Sequence, residues 1–375
     1  MKRVRVLIVD GSSTTRQTLR RLLDGDRELE VVGTAASGQL ALAKLSDLSP
    51  DVVLLDVAPP DREGLKTLAA MRETHLTLPV IIFSRLTERG SQTSLDALQL
   101  GANDYVTKPA SNADLERCIH VEVITKIKSL VAARNGALKP EAPAKEFPPA
   151  TIPPPSLPPP SPSLALQASM RQVSPTRSHT VEIVAIATST GGPNALASLL
   201  SSLPTSFVTP IVIVQHMASG FTTTLAESLR RQTGRNVREV ETVQPLDAAS
   251  VWVAPGGRHL VVTRQGVTEQ VAPNDDPPEN GCCPSADVMF RSVVDHFGSR
   301  CLAVVLTGMG YDGLAGCRAI RQAGGTVLVQ DEASSIAWGM PGQVATAGLA
   351  DRVLPLTDLS QEICRRTTGA RVRFA

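Results

Sequence analysis

The chain has 375 residues, 42% of them hydrophobic and 19% charged, with a formal net charge of +1. That length suits two domains, the composition is globular, and the balanced charge lacks the basic excess of a nucleic-acid surface. No apolar run approaches the roughly 18 residues needed to span a bilayer, so membrane insertion is not expected.

The first residues, MKRVRVLIVD, are basic and then apolar. The apolar part is too short for a signal peptide and ends at Asp10, so it reads as a buried strand. The runs RVLIVD, LEVVGTA, DVVLLDV, LPVIIFS and DYVTKP then alternate with the helical stretches TTRQTLRRLL, GQLALAKL, GLKTLAAMRE and SLDALQLGA. Five strands alternating with helices imply a doubly wound parallel sheet. From about Asn135 to Ser178 the sequence is proline-rich and should be an extended, solvated spacer. Beyond it, VEIVAIAT, TPIVIVQH, SVWVAPG, HLVVT, LAVVLTG and GTVLVQD read as a second parallel sheet with a hairpin-like insertion around 251–271. The expected class is α/β, with a first domain over 1–125, a linker over 126–179 and a second domain over 180–370. The six cysteines show no CxxC spacing and suit reduced thiols in the cytoplasm. The adjacent pair Cys282–Cys283 is a conceivable metal fragment, but no second cluster in the sequence supports it.

In such sheets ligands gather at the carboxyl ends of the strands. In the first half those ends carry Asp10, Asp56, Ser84 and Lys108. Clustered carboxylates suit a hard cation, and a lysine and hydroxyl beside them suit a phosphoryl group. In the second half they carry Ser189, His216 and Asp312. These are the types a nucleophilic triad needs: a hydroxyl, an imidazole to take its proton, and a carboxylate to orient the imidazole. The turn STGGP lacks GxGxxG and the lysine of a P-loop, which weakens a nucleotide-binding reading. In isolation, His216 could be an ordinary strand-edge histidine and Asp312 could cap the helix GLAGCRAIRQAG.

The segments VLIVDGSSTTRQ, DVVLLDVAPPDREGL, IIFSRLTERG and GANDYVTKP resemble the receiver domain of two-component response regulators, over residues 3 to about 124. The resemblance implies a flavodoxin-like fold with Asp56 as phospho-acceptor. Ser84 and Lys108 would contact the phosphoryl group, Asp10 and Asp56 would hold Mg²⁺, and a histidine kinase would be the phosphodonor. Receivers usually carry two adjacent acids after the first strand, whereas here the pair is Asp10–Gly11. Weakened Mg²⁺ binding and weak phosphorylation are therefore expected. The loop VAPPD also departs from the usual acid and methionine before the proline.

The motifs STGGP, VQHMASGF, WVAPGGRHL, PSADVMF, LTGMGYDGLAG and QDEASSIAWGMPG resemble the Rossmann-like catalytic domain of chemotaxis protein-glutamate methylesterases, over residues 181–354. That resemblance implies Ser189 as nucleophile, His216 as base and Asp312 as its orienting acid. Backbone N–H groups of Met309 and Thr190 would stabilise the oxyanion, and no cofactor would be needed for catalysis. The substrates would be glutamyl methyl esters, and also glutamines, on chemoreceptor cytoplasmic domains, with the receiver covering the cleft until phosphorylated. Ala187–Thr188, Cys283 and Gly342 stand where the family usually has Gly-Ala, arginine and a basic residue. Ala187 is expected to crowd a tight turn, and the other two to weaken receptor docking. Two alternatives stand beside this reading: a non-catalytic adaptor of the same fold, and a constitutively active esterase loosened by the long linker. A DNA-binding regulator is disfavoured by the neutral charge and the lack of a basic helix-turn-helix pattern.

Overall fold

The computed structural model describes residues 3–57, 63–85, 88–109, 111–134 and 181–367. The loop departure at 58–61, the proline-rich spacer and the end of the second domain at 370 lie outside the described residues. The first sheet contains β1 (Val4–Val9), β2 (Leu29–Ala35), β3 (Val52–Leu55), β4 (Val80–Arg85) and β5 (Asp104–Lys108), ordered β2-β1-β3-β4-β5 and parallel throughout. Helices cover both faces, which is why β3 is an unbroken buried apolar run, VVLL.

The last helical segment corrects the expected boundary at 125. Helix Asn112–Cys118 passes through a π-helical turn, Ile119–Val123, and continues as helix Ile124–Arg134. Ile127, Leu130 and Val131 lie buried in the same cluster as Ile8 and Phe83. Residues 126–134 therefore belong with the first sheet rather than with a linker.

The second sheet contains β6 (Ile183–Thr188), β7 (Ile211–Gln215), β8 (Asn236–Glu239), β10 (Ser250–Val253), β13 (Cys301–Val305), β14 (Thr326–Gln330) and β15 (Arg352–Leu354). Its order is β15-β14-β13-β6-β7-β10-β8, again parallel. The expected hairpin is shifted. Ser250–Val253 is a strand of the main sheet, and the hairpin is β11 (His259–Gln265) with β12 (Thr268–Asn274), joined by β9 (Gln244–Pro245) in a separate sheet. The chain leaves β6 towards β7 on one side and returns to β13 on the other. The carboxyl ends of these three strands thus frame the switch-point crevice where α/β sheets bind ligands.

The two sheets share a core. Helix Glu88–Gln99 packs on helices Gly192–Ser202 and Phe221–Thr233. Tyr105 of β5 stacks on Phe221, with ring centroids 4.5 Å apart and planes inclined by 22°. One hydrophobic cluster runs from Leu95, Leu98 and Tyr105 to Phe221 and Leu225.

Truncating a buried aliphatic side chain typically costs about 2–5 kcal/mol. Ile127→Ala in the full chain should therefore lower the receiver's unfolding midpoint in calorimetry by several degrees. An unchanged transition would return residues 126–134 to the linker.

Candidate active site

The turn after β6 is built by close backbone contacts. Thr188 pairs with Gln215 in the β6–β7 register, and His216 N–H donates to Thr188 O at 3.1 Å, so Ser189 and His216 follow their strands side by side. The Ser189 N–H donates to Thr307 O at 3.1 Å, and its carbonyl accepts from Gly192 N–H at 2.8 Å and from Gln215 Nε2 at 2.9 Å. Gly191 has φ +79°, and a Cβ there would stand 2.7 Å from Ile336 Cβ. At Gly192 a Cβ would stand 1.9 Å from Gln215 Oε1. Gly191 is thus fixed by both its turn conformation and space, and Gly192 by space. Ala187 does not crowd this turn: it is an ordinary buried residue inside β6, and the chain bends only after Thr188.

Asp312 is the electrostatic centre of the crevice. Its Oδ2 lies 2.8 Å from His216 Nε2 and accepts from Ala286 N–H at 2.6 Å. Its Oδ1 accepts from Ser285 Oγ at 2.8 Å and from Asp287 N–H at 3.2 Å. The carboxylate therefore sits on the N-terminus of helix Ala286–Phe297, where free N–H groups and the helix dipole favour an anion. The alternative cap does not form, since helix Leu314–Gln322 begins with Gly313 as its N-cap. Burial favours the neutral acid, but the bonds from His216, Ala286 and Ser285 outweigh it and hold Asp312 below the usual carboxylate range. For His216, burial favours neutral imidazole. The bond to Asp312 and the adjacent Cys282 sulfur outweigh that and push its pKa up to about 9.

The structure joins His216 to Asp312 and places Ser189 beside them, but no hydrogen bond joins Ser189 Oγ to His216 among the described residues. Catalytic contacts in unliganded sites are often loose and tighten only with substrate. Met309 follows Gly308, whose N–H donates to Ala337 O at 2.9 Å and whose carbonyl accepts from Gly339 and Met340 N–H at 3.0 and 2.8 Å. Thr190 is held from both sides. Its carbonyl accepts from Thr307 Oγ1 at 2.9 Å, and its hydroxyl donates to Asp104 Oδ2 of β5 at 2.5 Å. Gly342 makes room for an indole, because a Cβ there would stand 2.9 Å from the Trp338 ring. Ser285 and the Asp287 N–H group were not singled out by sequence reasoning, although both lie in the quoted PSADVMF motif.

In the first sheet three of the four expected residues meet, and Ser84 lies on the neighbouring strand β4. Lys108 Nζ lies 2.7 Å from both Asp10 Oδ2 and Asp56 Oδ2. Asp10 Oδ1 also accepts from Ser12 N–H at 2.8 Å. Ser84 Oγ is buried without a hydrogen-bond partner. Two carboxylates and a lone buried hydroxyl fit Mg²⁺ and a phosphoryl group, with Asp10 and Asp56 as the oxygen donors. At Gly11 nothing lies within 4 Å of where a Cβ would stand, so an acid could be accommodated there.

The response regulator receiver domain family matches residues 6–120, and the CheB methylesterase family matches residues 184–363. A protein-glutamate methylesterase/protein-glutamine glutaminase of Trichodesmium erythraeum is 45% identical over 371 residues, covering 98% of this chain and 99% of the relative. The chain belongs to this methylesterase family. A namesake from a Nocardioides species is 43% identical, covering 99% of this chain and 97% of its own. The catalytic domain of Thermotoga maritima CheB methylesterase is 34% identical, with a TM-score of 0.48, covering 50% of this chain and 98% of that one. Membership makes the chain a chemotaxis response regulator of the hydrolase class, with its receiver ahead of its methylesterase domain.

Two measurements check the sites. The His216 ring should titrate by NMR near pH 9, and Asp312→Asn should bring that midpoint down towards the ordinary 6.5. The sign follows from the raised pKa: the pair stabilises the fold fully below about pH 6.5, and that contribution fades as pH rises through about 9. A midpoint near 6.5 in both proteins would contradict the pairing. In the receiver, Gly11→Asp should lower the Mg²⁺ concentration needed for beryllofluoride binding by roughly tenfold or more. Equal Mg²⁺ dependence in both proteins would show that the missing acid is immaterial.

Proposed function

We propose that the chain hydrolyses glutamyl methyl esters on the cytoplasmic domains of chemoreceptors, and deamidates their glutamines, by a Ser189–His216–Asp312 triad. The observation that carries this is the His216–Asp312 pair, held on a helix N-terminus, with His216 and Ser189 each following one of two paired strands. With Nε2 committed to Asp312, Nδ1 is the ring nitrogen left to receive a proton. The free base form of His216 takes the Ser189 proton as Oγ attacks the ester carbonyl. The oxyanion forms beside the backbone N–H groups of Met309 and Thr190, and one such donor is typically worth about 3 kcal/mol. Collapse breaks the acyl–oxygen bond, and His216 returns its proton to the departing methanol. Water, deprotonated by His216, then attacks the acyl-enzyme and releases glutamate and free Ser189. A glutamine substrate follows the same course with ammonia leaving. The protein's own groups complete this cycle without a cofactor.

The receiver acts on this site through Thr190. Asp104 accepts the Thr190 hydroxyl, and Lys126 Nζ lies 3.2 Å from the same Asp104 oxygen. Asn194 Nδ2 donates to Leu98 O at 2.8 Å, and Gln99 Nε2 donates to Ser228 Oγ at 2.8 Å. Phosphorylation of Asp56 by a histidine kinase, with Mg²⁺ held at Asp10 and Asp56, loosens this face and uncovers the crevice. So well packed an interface favours an inhibited resting state over a constitutively active esterase. Among the described residues no helix is long and apolar enough to cross a membrane, and the proposed place of action is the cytoplasm.

Methanol release from methyl-labelled chemoreceptor membranes tests this. The wild type should release methanol faster with a phosphodonor and Mg²⁺ than without, and Ser189→Ala should lose at least about 10³-fold of the rate. Full release by Ser189→Ala would remove the nucleophile assignment. Release that ignores the phosphodonor would favour the constitutive reading, and none under any condition would favour the adaptor.

A further inference from the structure

The cysteine pair noted in the sequence acquires a second cluster in the fold. One nitrogen of His216, the Cys282 sulfur and one oxygen of Asp312 all lie within 4.8 Å of one another. The three come from separate parts of the chain: the end of β7, the loop after β12 and the loop after β13. Cys282 is held on a tight turn. Its N–H donates to Glu279 O at 2.8 Å, and the Glu279 N–H donates to Cys282 O at 3.1 Å, across Asn280 at φ +53° and Gly281 at φ +74°. Arg291 grips the Glu279 carboxylate, and Asn280 Nδ2 donates to Asp287 Oδ2 at 3.0 Å. The turn is thus tied to the same helix whose N-terminus holds Asp312.

We infer that His216, Cys282 and Asp312 form an inhibitory binding site for a borderline-soft divalent metal ion of the zinc class, a metal that silences the esterase rather than serving it. Imidazole nitrogen, thiolate and carboxylate are zinc's usual donors. Tetrahedral zinc with bonds of about 2.0–2.3 Å places its ligand atoms about 3.5 Å apart, so the three donors need to close in only by about 1 Å. Calcium and magnesium are disfavoured, because two of the three donors are not oxygen. On binding, the thiol proton passes to solvent, together with any proton on the coordinating ring nitrogen. The metal then bridges His216 and Asp312, and a fourth position stays open to water. No electron is transferred, and release of the metal restores the starting groups. The inhibitory consequence rests on the reading of His216 as the base, whereas the metal site itself does not.

Cobalt(II) separates the two. Titrated into the reduced full-length protein, it should give a thiolate-to-cobalt charge-transfer band saturating at one equivalent and displaced by zinc. Cys282→Ser should abolish the band and weaken zinc binding by more than about 100-fold, while Cys283→Ser should retain it. Zinc should also stop methanol release by the wild type, reversibly on chelation, whereas Cys282→Ser should become insensitive relative to its own metal-free rate. Absence of the band in the wild type, or its persistence in Cys282→Ser, would overturn the metal site whatever the esterase does. A band without inhibition would overturn the inhibitory role and count against His216 as the base, leaving the metal site standing.

Discussion

The second domain turns on one buried carboxylate. Asp312 is only 3% exposed, and a desolvated carboxylate is costly unless every lone pair is used. Here the N-terminus of a neighbouring helix, a serine hydroxyl and an imidazole use them. Those donors belong to two segments, residues 285–287 and His216, and Asp312 itself to a third, so satisfying one charge also fixes where the three segments lie. The same arrangement commits His216 Nε2 to Asp312 and sets the ring close to Cys282. The imidazole is thus oriented by the fold before any substrate arrives, which is the preorganisation that the proposed role of His216 as base would require.

The interface between the domains is laid on this arrangement. Receiver residues do not touch His216 or Asp312 in any described bond. They touch Thr190, one residue beyond Ser189, and Phe221, at the start of the helix that follows the His216 loop. Ile336 packs against the receiver's own core while lying against Gly191. The receiver therefore grips the walls of the crevice and leaves its chemistry intact. That suits a control element that must be removable without rebuilding the site.

Much of this was legible in the sequence because parallel strands announce themselves as apolar runs and deliver their last residues to one edge. Asp10, Asp56, Ser84 and Lys108 could be grouped on that ground alone, as could Ser189, His216 and Asp312. What escaped has physical reasons. β8 and β15 are short edge strands, NVRE and RVL, with charged and exposed positions that dilute the signal. Helix Ile124–Arg134 continues through a π-helical turn that breaks the regular spacing of its apolar face. Taken in isolation Asp312 could equally have capped the helix that follows it, because a carboxylate's partner across a sheet cannot be read from its neighbours in the chain. Cys282 reaches His216 only through a looped excursion, and Asp104 meets Thr190 only when two domains dock. Neither contact leaves a local pattern.

Because Tyr105 and Phe221 are buried in each other's company, the two sites are joined by one free energy. If phosphorylation at Asp56 weakens that contact by a given amount, then a receptor seated in the opened crevice must favour the phosphorylated receiver by the same amount. Coupling through a shared surface has no preferred direction. Under the proposed cycle, an esterase built this way would register the occupancy of its own crevice at Asp56, and each receptor it engaged would help to hold open the form that engages it.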